Sequence, residues 1–134
     1  MKVKVNQMLQ AMTKSELKAL YDRRSALFTS EQALKDLKSA FAHCQHYSAD
    51  DDIVRRIREL EDEIHLEQTV ITDMDKRALF TLKSIKSPLA RIGAMLHYHE
   101  GMPWEVAAAV LRRKSSAALR TAVYRGMHDA GIVG

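Results

Sequence analysis

One cysteine in 134 residues, Cys44, leaves no partner for an internal disulfide, so the fold rests on burial and hydrogen bonding and nothing demands an oxidising compartment. Proline is nearly as scarce. Pro88 and Pro103 are the only two, and because proline breaks helix interiors, long uninterrupted helices are permitted ahead of residue 88. Three of the five glycines, Gly126, Gly131 and Gly134, fall in the last ten residues. Aromatic residues make up 6% of the chain, which gives strands little support. No apolar run is long enough to span a bilayer, and Met1-Lys2-Val3-Lys4-Val5-Asn6 is not followed by the apolar stretch of a secretory signal. A cytoplasmic chain with no membrane partner is the expectation. No internal repeat is present.

Catalytic patterns are missing too. There is no nucleophile elbow, no Gly-rich phosphate loop and no His-Glu-x-x-His, so no enzyme activity, catalytic residue or cofactor is expected. His43-Cys44-Gln45-His46 gathers two imidazoles and a thiol, but adjacent residues point apart on a helix and no second cluster completes four ligands. It reads as the polar end of a helix, not a metal site. His97-Tyr98-His99-Glu100 has its histidines two apart, on different faces, and is read as core or surface.

What is abundant is Ala, Leu, Ile, Met, Lys, Arg and Glu, a composition that favours helices. Thr13-Lys14-Ser15-Glu16 has the form of a capping box, so a helix is predicted to start there. Behind it Leu20, Leu27, Leu34 and Phe41 recur every seven residues, with Leu17, Phe28 and Leu37 beside them. Asp50-Asp51-Asp52 places negative charge at the start of a second helix. Its seam is Ile53, Ile57, Leu60, Ile64, Ile71, Met74 and Ala78, at alternating steps of three and four. Asp51 with Arg55 and Arg58 with Asp62 would pair on its outer surface. Two such helices joined by a short turn bury their seams by folding back as a long antiparallel, coiled-coil-like hairpin. Two helices make a thin core, so the hairpin is expected to dock on the C-terminal module or to pair with a second copy of itself, a homodimer being the favoured of the two. Residues 1–12, including Val3, Val5, Met8 and Leu9, are expected to be flexible; residues 13–86 form the hairpin and residues 87–134 a separate module.

Ser87-Pro88 ends the second long helix and opens a third. Its apolar residues Leu89, Ile92, Met95 and Leu96 predict one buried face, with Gly101 as the stop. Pro103-Trp104-Glu105 restarts the chain as a helix with Trp104, Val106, Val110 and Leu111 inward. Arg112-Arg113-Lys114 makes a basic turn, and Ser115 or Ser116 caps a last helix with Leu119, Ala122, Val123 and Met127 inside. Its outward residues are Ala117, Arg120, Thr121, Tyr124 and His128, with Arg125 beside them. Charge separates accordingly. Residues 1–82 carry thirteen basic and fourteen acidic side chains, net −1, and residues 83–134 carry eight and three, net +5. A basic helix-turn-helix in an otherwise all-α chain is what reading the major groove of double-stranded DNA requires. In that reading Arg112, Arg113, Lys114, Ser115 and Ser116 meet phosphates, and Arg120, Thr121, Tyr124 and Arg125 face the groove.

The run Met95-Leu96-His97-Tyr98-His99-Glu100-Gly101-Met102-Pro103-Trp104-Glu105-Val106, with Arg125-Gly126-Met127 further on, resembles the C-terminal part of small phage transcriptional regulators of the ArpU and RinA-like type, which are similar to region four of sigma factors. A helical coiled-coil segment ahead of the module also belongs to that layout. The resemblance implies sequence-specific DNA binding by the last helix and contact with host RNA polymerase or another host protein. A helical protein-interaction module, such as a phage-borne inhibitor or adaptor, is the alternative class for the same pattern.

Overall fold

The computed structural model describes residues 10–43 and 51–134. It is all-α, with no strand among the described residues. Among the described residues five helices follow one another: α1 (Lys14–His43), α2 (Asp51–Leu82), α3 (Pro88–Ala94), which continues as a wider π turn over Met95–His99, α4 (Trp104–Val110) and α5 (Ser116–Asp129). Residues 44–50, expected to form the turn of the hairpin and including Cys44, His46 and Asp50, lie outside the described residues, as do Val3, Val5, Met8 and Leu9. The chain divides into two compact units, Arg23–Thr72 on the one hand, and Asp73–Gly134 together with the segment ending at Asp22 on the other. This differs from the boundary expected near residue 87: the first turns of α1 and the last turns of α2 belong with the C-terminal helices.

In Arg23–Thr72 the two long helices run antiparallel. Arg23 pairs with Glu67 at 2.7 Å and Lys38 with Glu61 at 3.0 Å, and the Gln68 amide donates to Glu31. Ile64 and Ile71 are buried, while Leu27, Leu34, Leu37, Phe41, Ile53, Ile57 and Leu60 are half-buried. Phe28, expected on the seam, is 62% exposed. It sits off the line that Leu20, Leu27 and Leu34 draw along the helix, one position past Leu27 and turned away from the seam. On the outer surface Arg55 pairs with Asp52 at 2.9 Å; the side chain of Asp51, its expected partner, lies outside the described ones.

The other unit is anchored at both ends of its chain segments. Thr13 and Glu16 close the expected capping box: the Glu16 N–H donates to the Thr13 hydroxyl at 3.1 Å and the Thr13 N–H to the Glu16 carboxylate at 3.0 Å. That bond from the Thr13 backbone, with Arg77 at 3.1 Å, holds the Glu16 carboxyl below its ordinary pKa. Residues 10–12, expected to be flexible, are tied down instead. The Arg77 guanidinium donates to the carbonyls of Gln10 and Ala11, and the Met12 N–H donates to the buried Thr81 hydroxyl at 2.8 Å. Met12 itself is core. At the other terminus the N–H groups of Lys14 and Ser15 donate to the carbonyls of Val133 and Gly134.

α3 begins as expected, with Ser87 as N-cap and Pro88 in the first turn. Its buried line is Ala90, Gly93 and Ala94, followed by His97 and Tyr98. The apolar face predicted from Leu89, Ile92, Met95 and Leu96 is therefore displaced: Ile92 is exposed and the other three are half-buried. Small residues go inside because α3 packs directly on α5. A Cβ on Gly93 would lie 2.9 Å from Val123 Cγ2, and one on Gly126 would collide with the Ala90 Cβ. Backbones this close leave no room for branched side chains between them. The same holds on α4, where Ala107 and Ala108 are buried while Val106 and Val110, expected inward, are 46% and 55% exposed. Leu119, Val123, Gly126 and Met127 form the buried face of α5.

Candidate nucleic-acid interface

α4 and α5 pack on each other and are joined by residues 111–115. Ser115 caps α5 by accepting from the Ala118 N–H at 3.0 Å, which settles the choice between the two serines. Ser116 is the first helical residue and is half-buried. The turn is tight because α4 ends in a Schellman motif: the Arg113 N–H donates to the Ala108 carbonyl at 2.8 Å and the Arg112 N–H to the Ala109 carbonyl at 3.1 Å. This puts Arg112 in the left-handed region, at φ 54°.

Arg112, Arg113, Lys114 and Ser115 are all exposed in this turn. On α5, Arg120, Thr121 and Arg125 are exposed, as are Ala117, Ala118 and His128. Among the described residues, no carboxylate forms an ion pair with Arg112, Arg113, Lys114, Arg120 or Arg125. The buried line of α5 is opposite Thr121, with His128 and Arg125 to either side, so these centre the solvent face and Arg120 stands at its flank. Tyr124 departs from the predicted outward set. It is half-buried, its ring edge-on to Trp104 with centroids 6.0 Å apart. The Lys14 ammonium lies 3.7 Å above the ring, a cation–π contact that brings α1 alongside α5. Lys14 is 110 positions from Tyr124, and nothing in the local pattern of either residue signals their meeting.

Beneath α5 lies an aromatic stack that orients α4. The His97 ring is sandwiched between Tyr21 and Trp104, at centroid distances of 4.1 and 3.8 Å and tilts of 17° and 12°. Its Nδ1 lies 2.7 Å from the Met102 carbonyl. A carbonyl only accepts, so Nδ1 carries the proton. Burial pushes the imidazole down to about 4, against the pull of that hydrogen bond and of Asp22 and Glu105. Tyr98 meets both His97 and Trp104 edge-on. Burial raises the pKa of its hydroxyl, helped by the neighbouring Tyr124. His99 instead bonds Asp75 through Nδ1 at 2.8 Å. His97 and His99 thus point into different surroundings, and among the described residues no group of three or more His, Cys, Asp or Glu is placed to hold a metal ion.

No helix among the described residues is long and apolar enough to cross a membrane. No protein-family model, curated protein or solved structure matches this chain.

Proposed function

We propose that this chain is a DNA-binding transcriptional regulator of the phage type its sequence resembles, acting in the cytoplasm as a homodimer paired through the α1–α2 hairpin. One observation carries the reading: a helix-turn-helix whose second helix and preceding turn expose five cations with no ion-paired carboxylate among the described residues. In this reading the exposed Thr121 and Arg125, flanked by Arg120, meet base edges, which are reached by a helix lying in the major groove. Arg112, Arg113, Lys114 and Ser115 at the helix entrance meet backbone phosphates. Tyr124 serves the interface from beneath, fixing α5 against Trp104 and Lys14.

The test is a comparison of single variants on a preferred duplex and on random duplex. Arg120→Ala and Arg125→Ala are expected to weaken the preferred site by about 1–3 kcal/mol and random duplex less, whereas Arg113→Ala weakens both alike. Equal losses for all three variants on every duplex would falsify base readout by α5.

The exposed Val106 and Val110, four apart on α4, favour a second reading in which this face docks a protein such as host RNA polymerase. A Val106→Asp/Val110→Asp chain that keeps DNA affinity yet loses regulation in a reconstituted transcription assay supports it; unchanged regulation removes it.

A further inference from the structure

Three helix ends of this unit turn through a left-handed residue. Gly101 stands there at φ 76° and Gly131 at φ 80°, whereas the end of α4 uses Arg112 at φ 54°. At Gly131 the cap has the same form as at Arg112, with the Ile132 N–H donating to the Met127 carbonyl at 2.8 Å. In this conformation a Cβ crowds the backbone carbonyl, and glycine is the residue that avoids the penalty. A second local cost coincides with the first. Arg112 begins a run of three exposed cations, Arg112, Arg113 and Lys114, with no carboxylate paired to them among the described residues. No hydrogen bond from the Arg112 side chain to any described residue offsets either cost. Arg112 thus stands where the two neighbouring helix ends place glycine, and beside two further exposed cations, a backbone cost and an unmatched charge that an anionic partner would offset.

We infer that Arg112 is a phosphate-contacting anchor that trades stability of the α4–α5 turn for affinity, a deepening that rests on the DNA-binding reading. Arg112 is exposed in the turn that leads to the Ser115 cap, where a duplex backbone running past the entrance of α5 would meet it. The contact recognises phosphate, so it acts on every duplex sequence alike.

Full-length wild type, Arg112→Gly and Arg112→Ala are compared by thermal unfolding and by fluorescence anisotropy on random duplex at several salt concentrations. Arg112→Gly is expected to melt about 3–5 °C higher, while Arg112→Ala, which keeps a Cβ at positive φ, gains nothing. Both are expected to lower the slope of log K against log salt by about 0.9, the signature of one lost phosphate contact. If Arg112→Gly melts no higher than wild type, the stability trade is overturned. If wild type binds with a steep salt dependence and both variants keep its slope, the phosphate role is overturned and the DNA reading stands. If wild type itself shows no salt-dependent retention, the DNA reading falls and this inference with it, whatever the melting temperatures.

Discussion

His97 is a polar residue doing the work of a core aromatic. Stacked between Tyr21 and Trp104 and 5% exposed, it is neutral in the fold, whereas in the unfolded chain it takes up a proton below about pH 6.5. Its folded value is depressed to about 4, so the unfolded state binds the extra proton between those two values. The stabilisation is therefore complete above about pH 6.5 and is lost as pH falls toward 4, to the extent of up to about 3 kcal/mol. Urea unfolding of wild type from pH 7 to pH 4 checks this, with His97→Phe as the comparison. The variant is expected to be less stable at pH 7, because the Met102 carbonyl loses its donor, but to lack the wild-type decline. Parallel declines in the two proteins would mean that another group carries the acid sensitivity.

At the scale of helices, the packing of α3 on α5 is set by what their contact face omits. An exchange of glycine for alanine inside a helix ordinarily stabilises by about 1 kcal/mol. At Gly126 the opposite sign is expected, a net loss of about 1–3 kcal/mol, because the added Cβ runs into the Ala90 Cβ, which cannot swing away. At Gly93 the obstacles are side-chain methyls of Val123 and Leu119 at 2.9 and 3.0 Å, a milder overlap than at Gly126, so Gly93→Ala should cost less. Thermal unfolding of the two variants gives the order; a stabilised Gly126→Ala protein would show that the two helices are not held this close. The consequence reaches function, because α5 is aimed by α3 beneath it and by the stack of His97, Trp104 and Tyr124 beside it. A shift in either re-aims Thr121 and Arg125.

For the molecule as a whole, charge is unevenly distributed along the chain. The excess of cations lies in residues 83–134, net +5, while the unsatisfied apolar seam lies in Arg23–Thr72. There the heptad residues from Leu27 to Leu60 are only half-buried, and Phe28 and Leu66 are 62% and 67% exposed. Two helices alone leave part of each seam uncovered, and a second copy offers the same seam. In the proposed homodimer, sedimentation of the whole chain at micromolar concentration gives twice the 15.2 kDa chain mass, and Leu34→Glu combined with Ile57→Glu returns it to a monomer. Wild type that sediments as a monomer throughout removes the dimer from the proposal. Under the proposed function a dimer would present two copies of α5 to two half-sites, and symmetric sites are then expected to be bound more tightly than single ones.

Helix positions were legible in the residues because their signals are local. The Thr13–Glu16 capping box, the Ser87-Pro88 opening, the Ser115 cap and the left-handed Gly101 and Gly131 each act within one turn of chain. So was the seam of the hairpin, whose period follows from helix geometry. Which face of each short helix goes inside was decided only in three dimensions. Ala90, Gly93, Ala107 and Ala108 were buried in preference to Ile92, Val106 and Val110 because close backbone approach selects small volume over hydrophobicity. Tyr124 was drawn inward by Trp104 and by Lys14, and Met12 was pinned by Thr81, through contacts between residues far apart in the chain. Periodicity tells which side chains share a face; the shape of the neighbouring surface tells which face is covered, and that shape exists only once the helices have met.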